Sequence, residues 1–307
     1  MKKLANATID CLGIGIIPLD FLVSIPEFPD KGGKVDAGDL CIQGGGPIPN
    51  TMVGLARLGY KTSIIAVVGD DMAGKISIDE LKKEKINPRF VVRKKKPSAS
   101  AFGFVEEGSG RRTIALHRKI SITSKDITLK KYPIPRMVHM DGRDLEANIK
   151  LAKWAKQKGA IVSFDIGSVR NDVTKILPLV DHLAVADAFA LPYTKTKNVK
   201  TALKKLSEIC PGTIVITLGT KGAMALEDGK FYRSRAYKVS AVDTTGAGDA
   251  FHVGYLSGLL DGKDIEERLD LGSLVAAIKC TKPGARGGMP TKRELDKFIK
   301  GKPKRYA

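Results

Sequence analysis

In this 307-residue chain, the stretch Asp243-Thr-Thr-Gly-Ala-Gly-Asp249 carries the residue types that most plainly do chemistry. Gly246, Ala247 and Gly248 are small residues in a row, so successive backbone N–H groups can converge on one point, and the helical pattern that follows turns its positive end toward the same point. Such an anion hole suits charge on a phosphoryl group in transfer. Asp249, on the first turn of that helix, would repel a phosphate that was merely bound. As a general base it makes sense, because it can accept the proton of an incoming hydroxyl as that oxygen attacks phosphorus in line. The alternative is an N-terminal acid that does no more than favour the helix dipole.

A second glycine-bearing segment fails as a phosphate loop. Gly69-Asp-Asp-Met-Ala-Gly74-Lys75 has the GxxxxGK spacing, but position 76 is Ile rather than a magnesium-holding Ser or Thr, and Asp70 and Asp71 would put negative charge into the cradle. A turn capping the next helix accounts for it. His117, His139, His182 and His252 have no metal-ligand spacing and read as polar or packed residues, while Trp154 shares a helical face with Leu151 and Ala155 and reads as core.

The elements that must hold Asp249 alternate along the chain. Residues 62–68, 160–166, 182–186 and 213–218 are short apolar runs expected as buried strands; residues 51–58, 148–157 and 200–209 place apolar side chains three and four apart, as helices packed on a sheet require. This alternation predicts an α/β fold of three layers, α/β/α, around a mostly parallel sheet, with ligands at the carboxyl ends of the strands. Residues 14–42 and 89–122 break the rhythm with strand-like alternation and turns, and are expected as two β ribbons forming one small lid. No long linker or internal repeat interrupts the chain, so one domain over 1–307 is expected. Exposed lid strands invite pairing between copies, which makes a homodimer the expected assembly.

Composition excludes several other roles. The net charge of +19 is spread over lysines opposite apolar helical stripes and is dense only at Arg93-Lys-Lys-Lys96 and near the C-terminus, which is a solvated surface rather than a nucleic-acid footprint. Cys11, Cys41, Cys210 and Cys280 form no CxxC pair, so neither a disulfide framework nor structural zinc is expected, and a reducing compartment is. Asn6, Thr8 and Asp10 interrupt what would be the apolar part of a signal peptide, and no run approaches the roughly 18 apolar residues of a membrane span. A soluble, cytoplasmic protein with no membrane partner is the expectation.

Asp243 to Phe251 resembles the C-terminal signature of the ribokinase-like, or PfkB, carbohydrate kinases, and Gly44-Gly-Gly46-Pro-Ile-Pro-Asn50 with Leu55-Ala-Arg-Leu-Gly59 is similar to the N-terminal landmark of that family. Asp20, His139-Met-Asp-Gly-Arg143, Thr217-Leu-Gly-Thr-Lys-Gly222 and Pro283-Gly-Ala285 extend the similarity over nearly the whole chain. Arg112-Thr-Ile and His139 to Arg143 are similar to ketohexokinase-like members, which implies a ketose such as fructose.

The resemblance implies transfer of the γ-phosphoryl group of ATP, with Mg²⁺, to a sugar hydroxyl. In it Asp249 is the base and Gly246, Ala247 and Gly248 the anion hole. Thr217, Gly219 and Gly222 match nucleotide-site positions. Asp20, Gly46 and Asn50 match hydroxyl-binding positions, although an Asn at a strand-to-helix junction is also an ordinary N-cap. Arg143 is implied near an ATP phosphate and Arg170 near a substrate anion, each with a surface ion-pair partner as the alternative. Asp243 and Thr245 match positions where relatives hold a monovalent cation such as K⁺.

Two departures bear on function. Pro47 stands where relatives carry a polar side chain that touches the sugar, and an Asn-x-x-Glu segment tied to magnesium is replaced by Ala186-Asp187-Ala188-Phe189. They keep open a nucleoside kinase of the same family and a catalytically weak sugar- or nucleotide-binding regulatory protein.

Overall fold

The structure, a computed structural model, describes residues 7–109, 111–169 and 171–306. The first half of the chain runs β1 (Ile9–Ile14), β2 (Leu19–Ile25), β3 (Leu40–Gly44), α1 (Pro47–Arg57), β4 (Thr62–Gly69), α2 (Met72–Lys83), β5 (Val91–Lys94), β6 (Ser100–Glu106), β7 (Arg112–His117), β8 (Pro135–Asp141) and α3 (Leu145–Gln157). The second half runs β9 (Ile161–Ile166), β10 (His182–Ala186), α4 (Asp187–Tyr193), α5 (Val199–Ser207), β11 (Thr213–Thr217), β12 (Ala223–Glu227), β13 (Lys230–Ser234), α6 (Ala247–Leu260), α7 (Ile265–Cys280) and α8 (Lys292–Lys300).

A nine-stranded sheet has the order β13-β12-β11-β10-β9-β8-β1-β4-β5. Every neighbouring pair from β5 to β11 is parallel, and β12 and β13 add an antiparallel edge. The parallel strands read as unbroken apolar runs because helices cover both faces: in β4, Ile64 to Val68 are all buried. One face packs on α3, α4 and α5 through Leu151, Phe189 and Leu203; the other packs on α1, α2, α6, α7 and α8 through Met52, Leu81, Leu256, Val275 and Leu295. This is the expected three-layer α/β/α arrangement. The chain leaves β1 toward β4 on one side and later lays β8 on the other, so a crevice opens between the carboxyl ends of β1 and β8.

A separate four-stranded sheet, β3-β2-β6-β7, stands over that crevice. It comes from the two segments expected as ribbons, with one difference: Val91–Lys94, inside 89–122, pairs in parallel with β4 at the edge of the large sheet. The small sheet has two unlike faces. Asp20, Ala101, Arg112 and Leu116 turn toward the crevice, whereas Phe21, Leu40, Ile42, Phe102 and Phe104 turn away from it, as the period-two alternation and the pairing register require. Gly69 to Lys75 caps α2: Asp71 accepts from Gly74 N and from the backbone and hydroxyl of Ser98, so this loop spends its carboxylate on structure.

Candidate active site

The crevice is a cavity of about 760 Å³ lined by the residues just beyond β1, β8, β9, β10 and β11, by the starts of α1 and α6, and by the inner face of the small sheet. Asp249, Gly246, Ala247, Gly248, Thr245, Asp20, Gly46, Asn50, Arg143, Thr217 and Gly219, all singled out in the sequence, line it together. Gly222 does not. Its φ of +86° and the approach of the Ser234 carbonyl, 2.0 Å from where a Cβ would sit, tie it to the β11–β12 turn against β13. Arg170 lies outside the described residues.

Helix α6 opens at Ala247, one turn before its apolar run begins, because Gly246 takes the left-handed conformation at the N-cap, φ +76°. A side chain there would also meet the Ala285 Cβ at 2.7 Å. Asp249 sits on the first turn, and its Oδ2 accepts a 2.8 Å hydrogen bond from Asn50 Nδ2, a residue 199 positions away. Asn50 is not the cap of its own helix: Gly46 caps α1, Pro47 fills the first helical position, where a missing N–H costs nothing, and Asn50 N bonds back to Gly46 O. A side chain near the start of α1 thus meets a carboxylate on the first turn of α6. Burial raises the Asp249 pKa, the neighbouring Asp165 raises it further, and the Asn50 bond opposes both. A carboxylate so placed is a stronger proton acceptor than one in water.

Asp20, on β2, is 7% exposed, and burial pushes its pKa up to about 7 against the pull of Arg286 and Arg112. Asp20 Oδ1 and Asn50 Oδ1 have no hydrogen-bond partner among the described residues. Buried polar atoms of this kind are what hydroxyls of a bound polyol would satisfy.

Several lining residues carried no sequence motif. Asp165, at the end of β9, bonds to His252 Nε2 on α6 at 3.1 Å; the pairing lowers the Asp165 pKa and raises that of His252, against burial in both cases. His252 is packed, as expected, yet it also lines the cavity. Helical spacing holds the signal, since His252 follows Asp249 by three positions and so shares its face. Asp141, at the end of β8, has a carboxyl pushed by burial to about 7 and an Oδ2 with no hydrogen-bond partner among the described residues.

Metal fit differs between the two expected ions. Among the described residues no cluster of three or more His, Cys, Asp or Glu side chains forms a metal cage. Mg²⁺ needs none, since it binds through one or two carboxylates plus phosphates and water, and the orphaned Asp141 Oδ2 and Asp187 on the cavity wall fit that donor set. Phe189, by contrast, is fully buried and stacked on Tyr193. The K⁺ position does not fit. The Asp243 carbonyl already receives Lys279 Nζ at 2.6 Å, and the Asp243 carboxylate receives Thr245 N and Gly284 N at 2.7 Å each.

Comparison with known proteins agrees with this fold. Residues 6–292 match the profile described as "pfkB family carbohydrate kinase". The chain is 27% identical over 305 residues to a ribokinase of Haemophilus influenzae, covering 93% of this chain and 97% of that one. It is 28% identical over 282 residues to a 2-dehydro-3-deoxygluconokinase of Bacillus subtilis, covering 81% and 84%. The adenosine kinase structure from Sinorhizobium meliloti superposes with a TM-score of 0.85 at 21% identity, over 95% of this chain and 100% of that one, a likeness of fold alone. With its ribokinase-like fold and a family match spanning nearly its whole length, the chain belongs to the pfkB family of carbohydrate kinases.

Proposed function

We propose that the chain transfers the γ-phosphoryl group of ATP to a hydroxyl of a sugar or sugar-like acceptor, with Asp249 as general base and the Gly246-Ala247-Gly248 N–H groups as the anion hole. The observation that carries this reading is the Asn50–Asp249 hydrogen bond, which joins the acceptor-side and phosphate-side motifs at one point. Asp249 takes the acceptor proton at Oδ1 or Oδ2, Asn50 orients the carboxylate, and the start of α6 meets the charge growing on the transferred group. The adenine lies by Thr217 and Gly219, and Arg143 and the Thr245 hydroxyl face the phosphates. Mg²⁺, when bound, spreads the phosphate charge, with Asp141 or Asp187 as its protein ligand. The small sheet covers the acceptor and keeps water from competing for ATP. Such an enzyme works where ATP is supplied, in the cytoplasm.

The acceptor is read as a ketose, with fructose the neutral case. Arg112 favours an acidic relative: it lines the cavity on the same sheet face as Asp20, where a guanidinium suits a sugar-acid carboxylate, and a 2-keto-3-deoxygluconate kinase is among the relatives. Turnover of fructose, ribose, 2-keto-3-deoxygluconate, adenosine and inosine with ATP and Mg²⁺ tests this. Turnover of nucleosides alone replaces the sugar assignment with a nucleoside kinase, and binding without turnover supports a regulatory protein. The outer face of the small sheet, with Leu40 61%, Ile42 51% and Phe102 49% exposed, is the surface for a second copy of the chain. Sedimentation should give a dimer that Phe102→Lys dissociates.

A further inference from the structure

A positive charge is already built into the turn that precedes the anion hole. Lys279, next to the last residue of α7, is fully buried, and its Nζ donates to the Asp243 carbonyl at 2.6 Å while lying 3.9 Å from Asp243 Oδ2. Its stem runs beneath the 283–288 loop, where a Cβ on Gly288 would come within 2.9 Å of Lys279 Cε. Asp243 in turn holds two segments together, since Oδ1 accepts from Thr245 N and Oδ2 from Gly284 N. The loop that Gly284 begins carries Ala285, which packs on Gly246. Lys279 therefore reaches the anion hole through Asp243 without touching the cavity.

A lysine is a costly way to fill this space. Burial pushes its pKa below the ordinary lysine value, and the Asp243 carboxylate works against that shift. Leucine or methionine would fill the volume without desolvating a charge, so the ammonium group itself is what the turn requires. A free monovalent cation would need the same oxygens. The carbonyl is taken, both carboxylate oxygens serve backbone N–H groups, and a second positive charge would share one carboxylate with the first.

We propose that the Lys279 ammonium is the resident monovalent cation of this site, holding the Asp243–Gly248 turn where the anion hole needs it, so that the chain has no use for added potassium. Lys279 is a positioning residue, and the inference rests on the kinase reading for the role of the turn but not for the exclusion of potassium.

The test uses the full chain in tetramethylammonium, sodium, potassium and ammonium chloride at equal ionic strength, with melting temperature and calorimetric affinity for ATP–Mg²⁺ as readouts. The wild-type protein should melt at the same temperature and bind ATP equally in all four salts. Lys279→Met should bind ATP about tenfold more weakly in tetramethylammonium, the size of one lost charged hydrogen bond, and recover most of that in potassium or ammonium. Potassium raising the wild-type melting temperature above its value in sodium and tetramethylammonium overturns the proposal, as does a folded Lys279→Met with unchanged affinity or without rescue. If Lys279→Met does not fold, the wild-type salt series decides alone. If the wild type binds ATP in no salt, the kinase reading falls, and the melting series still decides whether potassium is excluded.

Discussion

Behind the turn proposed to hold phosphate, Asp243 accepts from two backbone N–H groups and Lys279 closes on its carbonyl; where the acceptor is proposed to sit, Asp20 Oδ1 and Asn50 Oδ1 are buried with no partner among the described residues. One end is organised before any ligand arrives. The other holds groups whose isolation costs about 1–3 kcal/mol each until a ligand supplies the missing partner. In the proposed reaction the difference matches what each end would do: charge on a transferring phosphoryl group has one geometry, which fixed backbone dipoles serve best, whereas acceptor hydroxyls are recognised one by one. Thr245 Oγ1 is the exception beside the anion-hole turn, buried on the cavity wall with no partner among the described residues.

The largest break in this contrast should come from Asp249→Asn, which touches both ends. Turnover should fall about 10²- to 10⁴-fold while ATP affinity holds. The same change should raise the melting temperature at neutral pH by about 1–3 °C. The sign follows from the raised folded-state pKa: the native protein pays for a buried carboxylate above that pKa, and the cost vanishes as pH falls and the carboxyl is protonated in folded and unfolded chains alike. A melting temperature that drops at neutral pH would show that the charge is stabilising instead.

Gly246→Ala tests the preorganised end alone. With φ at +76° and Ala285 at 2.7 Å from the new methyl group, the turn must shift, and kcat should fall about 10- to 100-fold. Stability should drop by about 1–2 kcal/mol in denaturant titration. Asp20→Asn tests the unsatisfied end. In the wild type the carboxylate forms only above about pH 7, so acceptor KM should fall as pH rises through that value. The variant should lose this dependence and show an acceptor KM about tenfold higher in the alkaline range, with ATP KM unchanged. The smallest kinetic effect is expected from Gly222→Ala, which should cost about 1–3 kcal/mol of stability through the Ser234 contact and leave ATP KM alone. A large rise in ATP KM would return Gly222 to the nucleotide site.

Much of this architecture was legible in the residues themselves. Apolar runs such as 62–68 and 182–186 have one good solution, a strand covered on both faces, and the three-and-four spacing of 148–157 has another, so β4, β10 and α3 lie where they were expected. The roles proposed for Gly246, Ala247, Gly248 and Asp249 depend on backbone conformation and helix position, which are local properties. Val91–Lys94 is ambiguous by its residues alone, because a short alternating strand fits a ribbon or a sheet edge equally well, and only its partner β4 distinguishes them.

Contacts distant along the chain left no such trace. Lys279 looks in sequence like any of the lysines that make the chain basic, but α7 is enclosed by α6, α8 and the β12–β13 edge, and that packing turns one ordinary ammonium inward onto Asp243. Asp165 and His252 come from a strand and a helix 87 positions apart, and nothing local in either segment announces the pair. Periodicity specifies which face of an element is apolar, and turn residues specify where the backbone can bend. Which polar side chain on that face meets which partner depends on how the layers stack, and that stacking set the Asn50–Asp249 bond, the orphaned oxygens of Asp20 and Asn50, and the buried cation beneath the anion hole.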